Sequence, residues 1–223
     1  MSNLIATSST VQDWRALLSA YSECIGVHSK SSKRRAKLPH LDDFLHKELP
    51  ETIRARYSIE ATFGYITKEE ICRIVEWKIT VSYGLPARPL MRYANALMPN
   101  EVETITRDAF TLAASKDFMG ALKKLTEMKG IGPATASAVL SFGHLGGQCP
   151  FLSDEAMHAF NIVNTNKGTL DYTLDSWAAL KKVCDEKADD LNQQLENGES
   201  EEEQWTPVMI ERALWAAAMQ EAK

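Results

Sequence analysis

The residues best placed to do chemistry lie in one segment, Lys129-Gly130-Ile131-Gly132-Pro133-Ala134-Thr135. Before it, Phe118, Leu122 and Leu125 share a helical face; after it, Ala136, Val139, Leu140 and Gly143 do the same. The spacing predicts two helices joined by a tight turn over residues 118–143. Two glycines flanking one aliphatic residue permit left-handed or crowded backbone on both sides of the turn, with Ile131 plugging the gap between the helices. Pro133 suits a first helical position, where its missing N–H costs least. Ala134, Ala136 and Ala138 keep the second helix slim. Its N-terminus would be ringed by the N–H groups of Gly132, Ala134 and Thr135, which attract an anion with help from the helix dipole. Lys123, Lys124 and Lys129 are close enough in sequence to share the same phosphate backbone. Such a grip touches no base edge and would be independent of sequence. The plainer alternative is a helix turn with no ligand.

A second concentration of aromatic and basic side chains runs through WKITVSYGLPARPLMR: Trp77, Lys78, Tyr83, Arg88 and Arg92. Aromatics stack on unpaired bases and arginines pair with phosphates. Aromatics at helical spacing also form ordinary core, so pocket and packing both stand as readings. Trp205 and Trp215 are assigned to packing around the last helix. His28, His40, His46, His144 and His158 lack metal-ligand spacing, and no metal or cofactor is expected. Cys24, Cys72, Cys149 and Cys184 lie far apart with no CxxC, which suits a reducing, intracellular setting and excludes a cysteine-ligated iron–sulfur cluster.

The elements that must position these groups read as helices nearly throughout. Val11 to Tyr21 forms a first helix, followed by a basic connection over 29–40 (SKSSKRRAKLPH). Lys33, Arg34, Arg35 and Lys37 there read as a solvated link, a nuclear-targeting run or a phosphate contact. Short helices are expected over 40–48 and 51–57. Thr67 and Glu70 form a capping box ahead of Ile71, Ile74, Val75 and Ile79, and Gly84 and Pro86 end that helix. Leu90, Tyr93, Ala94 and Leu97 make the next stripe, closed by Pro99. Asn100 and Glu103 should then cap the helix bearing Val102, Ile105, Ala109 and Leu112. Trp177, Leu180, Cys184, Ala188 and Leu191 line another. Thr206 as N-cap with Pro207 at the first position opens the last. The chain is therefore expected to be all-α, built of about nine or ten mostly short helices.

Composition agrees with a packed protein. Of 223 residues, 44% are hydrophobic and 25% charged, and no stretch is long and apolar enough to span a membrane. The formal charge of -5 comes from one segment, because residues 185–203 hold nine acids and one lysine. The remainder has 21 acids against 24 bases, so overall acidity does not argue against nucleic acid. The acidic loop 196–204 has no assigned role.

The run LTEMKGIGPATASAVLSF resembles the helix-hairpin-helix motif as it occurs in the helix-hairpin-helix DNA glycosylase superfamily. The resemblance covers roughly residues 40–222, with 120–160 the specific part. It implies a two-lobed all-α fold, with residues 1–40 as an N-terminal helix and basic loop and 41–222 as the helical domain. It also implies a catalytic acid about twenty residues after the hairpin, and Asp154 in Cys149-Pro150-Phe151-Leu152-Ser153-Asp154-Glu155 stands there. Glu155 is the fallback, and a plain helix cap with Ser153 is the alternative for Asp154. Three departures narrow the chemistry. Ala134 replaces the lysine of bifunctional members, which excludes Schiff-base strand cleavage. The Asp-x-His-x-x-Arg pattern is missing, with His158 at another offset, and the iron–sulfur cysteines are absent. The expectation is a monofunctional DNA glycosylase acting on a damaged or modified base in double-stranded DNA. A DNA-binding scaffold that lost the enzyme, or a helical protein-interaction domain, are the alternatives.

Overall fold

Residues 10–60, 64–82, 89–143, 146–163, 168–196 and 204–221 are described in the computed structural model of the protein. Among them every regular element of more than one residue is helical. Eleven α-helices follow in order: α1 Val11–Ser29, α2 Leu38–Asp43, α3 Leu49–Glu60, α4 Lys68–Val81, α5 Leu90–Ala96 and α6 Pro99–Ala114. Then come α7 Phe118–Leu125, α8 Pro133–Gly143, α9 Asp154–Ala159, α10 Leu174–Glu196 and α11 Pro207–Glu221. The chain divides into two units. One is continuous, Ile25–Leu145. The other is assembled from both ends of the sequence, Met1–Cys24 with Gly146–Lys223.

In the continuous unit, α6 lies along α7, α7 returns against α8, and α4 packs on α8. Ile71, Ile74, Val75, Val102, Leu122, Leu125, Val139 and Leu140 are buried there. Thr67 caps α4 as the sequence predicts: its side chain accepts from the Glu70 N–H, and Glu70 accepts the Thr67 N–H in return at 2.8 Å. Glu70 also takes a two-point ion pair from Arg56 at 2.7 and 2.8 Å, which satisfies a buried carboxylate.

Three elements differ from the sequence reading. Residues 38–60 form one helical run rather than two short helices, with a π-helical turn over Phe44–Glu48 just before Pro50. Proline has no N–H and crowds the preceding turn, and a wider turn there accommodates it. Pro99 opens α6 with Met98 at the N-cap, so the cap expected at Asn100 is not used. The basic connection is tied down rather than solvated. Arg34 and Arg35 both donate to the Ser82 carbonyl at 2.9 Å, at the C-terminal end of α4, and Lys37 pairs with Glu76. Arg35 is buried, whereas Lys33 and Lys37 stay exposed.

In the second unit, Trp14, Trp177, Leu180, Cys184, Leu191, Ile210 and Leu214 form the core. Trp14 meets Trp205 edge-on at 6.5 Å, and Tyr21 leans on Trp215 at 5.3 Å, so both late tryptophans are packing residues as expected. Thr206 accepts the Met209 N–H at 3.3 Å and caps α11. The acidic loop, apart from Glu196 at the end of α10 and Gln204, lies outside the described residues, as do Tyr83, Arg88, Gly84, Pro86 and His144.

Candidate nucleic-acid interface and carboxylate site

The α7–α8 turn closes on Ile131, which is 4% exposed and donates its N–H to the Met128 carbonyl at 3.0 Å. Lys129 and Gly130 remain exposed at the tip. The two glycines are not equivalent. Gly130 has φ +88, and a Cβ there would lie 2.3 Å from the Tyr93 Cβ, so glycine is required by the fold. Gly132 has ordinary negative φ, and a Cβ built there meets nothing within 4 Å. Crowding on both sides of the turn, expected from the sequence, exists on one side only.

The amide ring is also smaller than expected. The Thr135 N–H donates to the Gly132 carbonyl at 2.9 Å, so Thr135, itself buried, is not a free donor. The N–H groups of Gly132 and Ala134 have no acceptor among the described residues, as the start of a helix dictates. Lys124 is held by Asp108 at 3.3 Å and Glu127 at 3.0 Å, which neutralises its charge locally; Lys123 is exposed. The exposed tip thus offers Lys129, with the unpaired amides of half-buried Gly132 and buried Ala134 beyond it.

Trp77 is corrected from pocket wall to core. It is 4% exposed, its indole N–H donates to Asp42 at 2.9 Å, and Phe142 meets it edge-on at 4.8 Å. Lys78 is half-buried on the same helix and its carbonyl accepts the Ser82 N–H. Arg92 is the member of that cluster placed near the turn. It lines an open cleft of about 610 Å³ together with Lys129 and Tyr93.

Asp154 belongs to the other unit. The cap of α9 is Ser153, whose hydroxyl accepts the Ala156 N–H and donates to Glu211 at 2.6 Å. Asp154 is therefore not the cap but the first residue of the helix, where the dipole favours its charge. It is exposed, and its Oδ1 accepts a hydrogen bond from the Tyr172 hydroxyl at 2.6 Å. Burial and the Asp154 charge hold the Tyr172 phenol above its ordinary value. Tyr172 was not among the sequence candidates; it sits in a loop 18 residues away, and no periodicity links it to Asp154.

Glu155 turns inward and is half-buried. Burial, then the neighbouring Asp154 charge, push its carboxyl up to about 7. A carboxyl half-protonated at neutral pH is a poorer fixed anion than its neighbour. The folded state binds this proton more tightly than the unfolded chain, so the stability it confers is present below the ordinary carboxylate range and is lost as pH rises through 7. Glu155→Gln removes that dependence. Urea unfolding should show the variant about 2 kcal/mol more stable than wild type at pH 8 and equal to it at pH 4. Equal stability at both pH values would refute the buried-acid description.

Among the described residues no three His, Cys, Asp or Glu side chains are grouped to hold a metal ion, and no helix is long and apolar enough to cross a membrane. No family model matches the chain, and neither a curated protein nor a solved structure is detectably similar to it.

Proposed function

We propose that this protein binds double-stranded DNA through the helix-hairpin-helix turn at Lys129–Ala134 and hydrolyses the N-glycosidic bond of a damaged or modified base. The observation that carries the reading is Gly132. Neither backbone conformation nor packing demands glycine there, yet it stands at the tip between Lys129 and the open helix start. A missing side chain that the fold does not need leaves room for a phosphate to reach the amides of Gly132 and Ala134.

In this mechanism the target nucleotide leaves the stack. The bond between its base and the sugar C1′ breaks with the electron pair departing on the base, and positive charge grows on the sugar ring. The Asp154 carboxylate stabilises that charge and accepts a proton from the water that adds to C1′. The departed base takes up that proton, which restores the Asp154 carboxylate, and the products are the free base and an abasic sugar. Ala134 supplies no amine at the position from which the lysine of bifunctional helix-hairpin-helix enzymes cleaves the strand.

The test uses duplexes bearing uracil, alkylated or oxidised bases, with alkali added afterwards to cut abasic sites. Strand breaks should appear only after alkali. Duplex affinity at low salt should fall at least tenfold in Gly132→Asp, which opposes the phosphate, and severalfold in Gly132→Ala, whose methyl takes part of the space the phosphate needs. Breaks without alkali would contradict the monofunctional chemistry. Failure of wild type to bind duplex would overturn the whole reading. Binding without base release on a broad panel would establish the second reading, a catalytically inactive scaffold, which the solvent exposure of Asp154 favours.

A further inference from the structure

Beside the hairpin tip, the start of α5 and the end of α5 with its link to α6 form the walls of the 610 Å³ cleft, and Lys129 closes it. Pro89, Tyr93, Ala96 and Leu97 supply the apolar part of its lining. Its charges are Arg92, Lys129 and Glu101. Arg92 is exposed, and among the described residues neither Arg92 nor Lys129 has an ion-pair partner, in contrast to Lys37, Arg56 and Lys124. Glu101 lies in the first turn of α6, where the helix dipole accounts for it. Tyr93 also fixes the turn from below, because its side chain occupies the space a Cβ on Gly130 would need. The cleft and the hairpin therefore share one wall and one lysine.

We infer that this cleft is a second nucleic-acid subsite, which takes one internal nucleotide unit of the strand whose neighbouring phosphate sits on the hairpin amides. The phosphodiester lies between Arg92 and Lys129, and its deoxyribose covers Tyr93 and Ala96. Arginine suits the role because its planar fork meets two phosphate oxygens at once. Glu101 sets the charge balance. Two cations and one carboxylate leave a single positive charge, which matches the singly charged diester of a continuous strand and disfavours the dianionic phosphate of a strand end. The subsite rests on the DNA-binding reading above and adds to it a residue, Arg92, and a preference for internal over terminal phosphate.

The experiment is a salt titration of binding to an undamaged duplex, using wild type, Arg92→Gln, Glu101→Gln and Gly132→Asp. Arg92→Gln should bind about 3–10-fold more weakly near 0.1 M salt, with the slope of log K against log salt shallower by about 0.9. Glu101→Gln should bind about 2–5-fold more tightly. Duplexes with and without 5′-phosphates should bind alike. If Arg92→Gln keeps the wild-type affinity and slope while Gly132→Asp loses binding, the subsite is refuted and the hairpin reading stands. A preference for 5′-phosphorylated ends would also refute it, by assigning the cleft to strand termini. If wild type binds no duplex, or Gly132→Asp and Arg92→Gln both match it, the hairpin reading fails and the subsite with it.

Discussion

Asp154→Asn should lower base release by about 10³-fold or more while duplex affinity stays within twofold of wild type. The substitution is nearly isosteric, and an Asn carboxamide oxygen can still accept the Tyr172 hydroxyl that now reaches Oδ1 at 2.6 Å. What disappears is the negative charge, the one property that stabilises a sugar cation. The side effects are small and of known sign. Loss of a carboxylate from the first turn of α9 costs about 0.3–1 kcal/mol through the helix dipole. Removing the charge beside Glu155 lowers that residue's tendency to stay protonated, since Asp154 is one cause of its raised value. Single-turnover base release and equilibrium duplex binding, measured on the same preparation, separate the two roles. Unchanged base release in Asp154→Asn would remove Asp154 from the chemistry.

Gly130→Ala should destabilise the protein by about 3 kcal/mol, whereas Gly132→Ala should leave it unchanged or up to about 1 kcal/mol more stable. At Gly130 two costs add. The left-handed backbone at φ +88 is unfavourable for any L side chain by about 1–2 kcal/mol. The new methyl would also lie 2.3 Å from the Tyr93 Cβ and 2.5 Å from its Cγ, which forces α5 and the turn apart. At Gly132 neither cost applies, and alanine reduces the freedom of the unfolded chain. Thermal or urea unfolding of the two variants provides the comparison, with identical chemistry two residues apart. Equal losses at both positions would show that the turn does not have the backbone described.

The same contrast marks how far the amino-acid order can be read. The capping box at Thr67–Glu70, the cap at Thr206 and the helical stripes through Ile71–Val75 and Trp177–Leu191 are all visible in sequence. Each depends on residues three or four apart, which a helix brings together without outside help. The turn of Lys129–Pro133 is visible for the same reason. Pro133 and Pro207 open helices at the positions the sequence assigns them, whereas Pro99, read as closing one helix, opens the next. Their outcome depends on what the neighbouring turns can give.

Side-chain roles were less legible. Trp77 could have lined a pocket or filled a core by spacing alone, and its bond to Asp42, 35 residues away, decides for core. Ser153 became a cap tied to Glu211 across 58 residues, which left Asp154 uncommitted to capping and exposed beside Tyr172. Lys124 looked equivalent to Lys129 until Asp108 and Glu127 closed on it.

By itself, then, the order of residues determined the helical character of the described residues, most of the helix starts, and one glycine-bearing turn between two helices. The tertiary structure alone decided which of the two glycines is obligatory, that Lys124 is drawn into ion pairs, that the two ends of the chain build one unit, and that Arg92 shares a cleft with Lys129. The physical reason is range. Periodicity and capping operate within a single helical turn, whereas crowding, ion pairing and burial depend on segments tens of residues apart that meet only when the chain has folded.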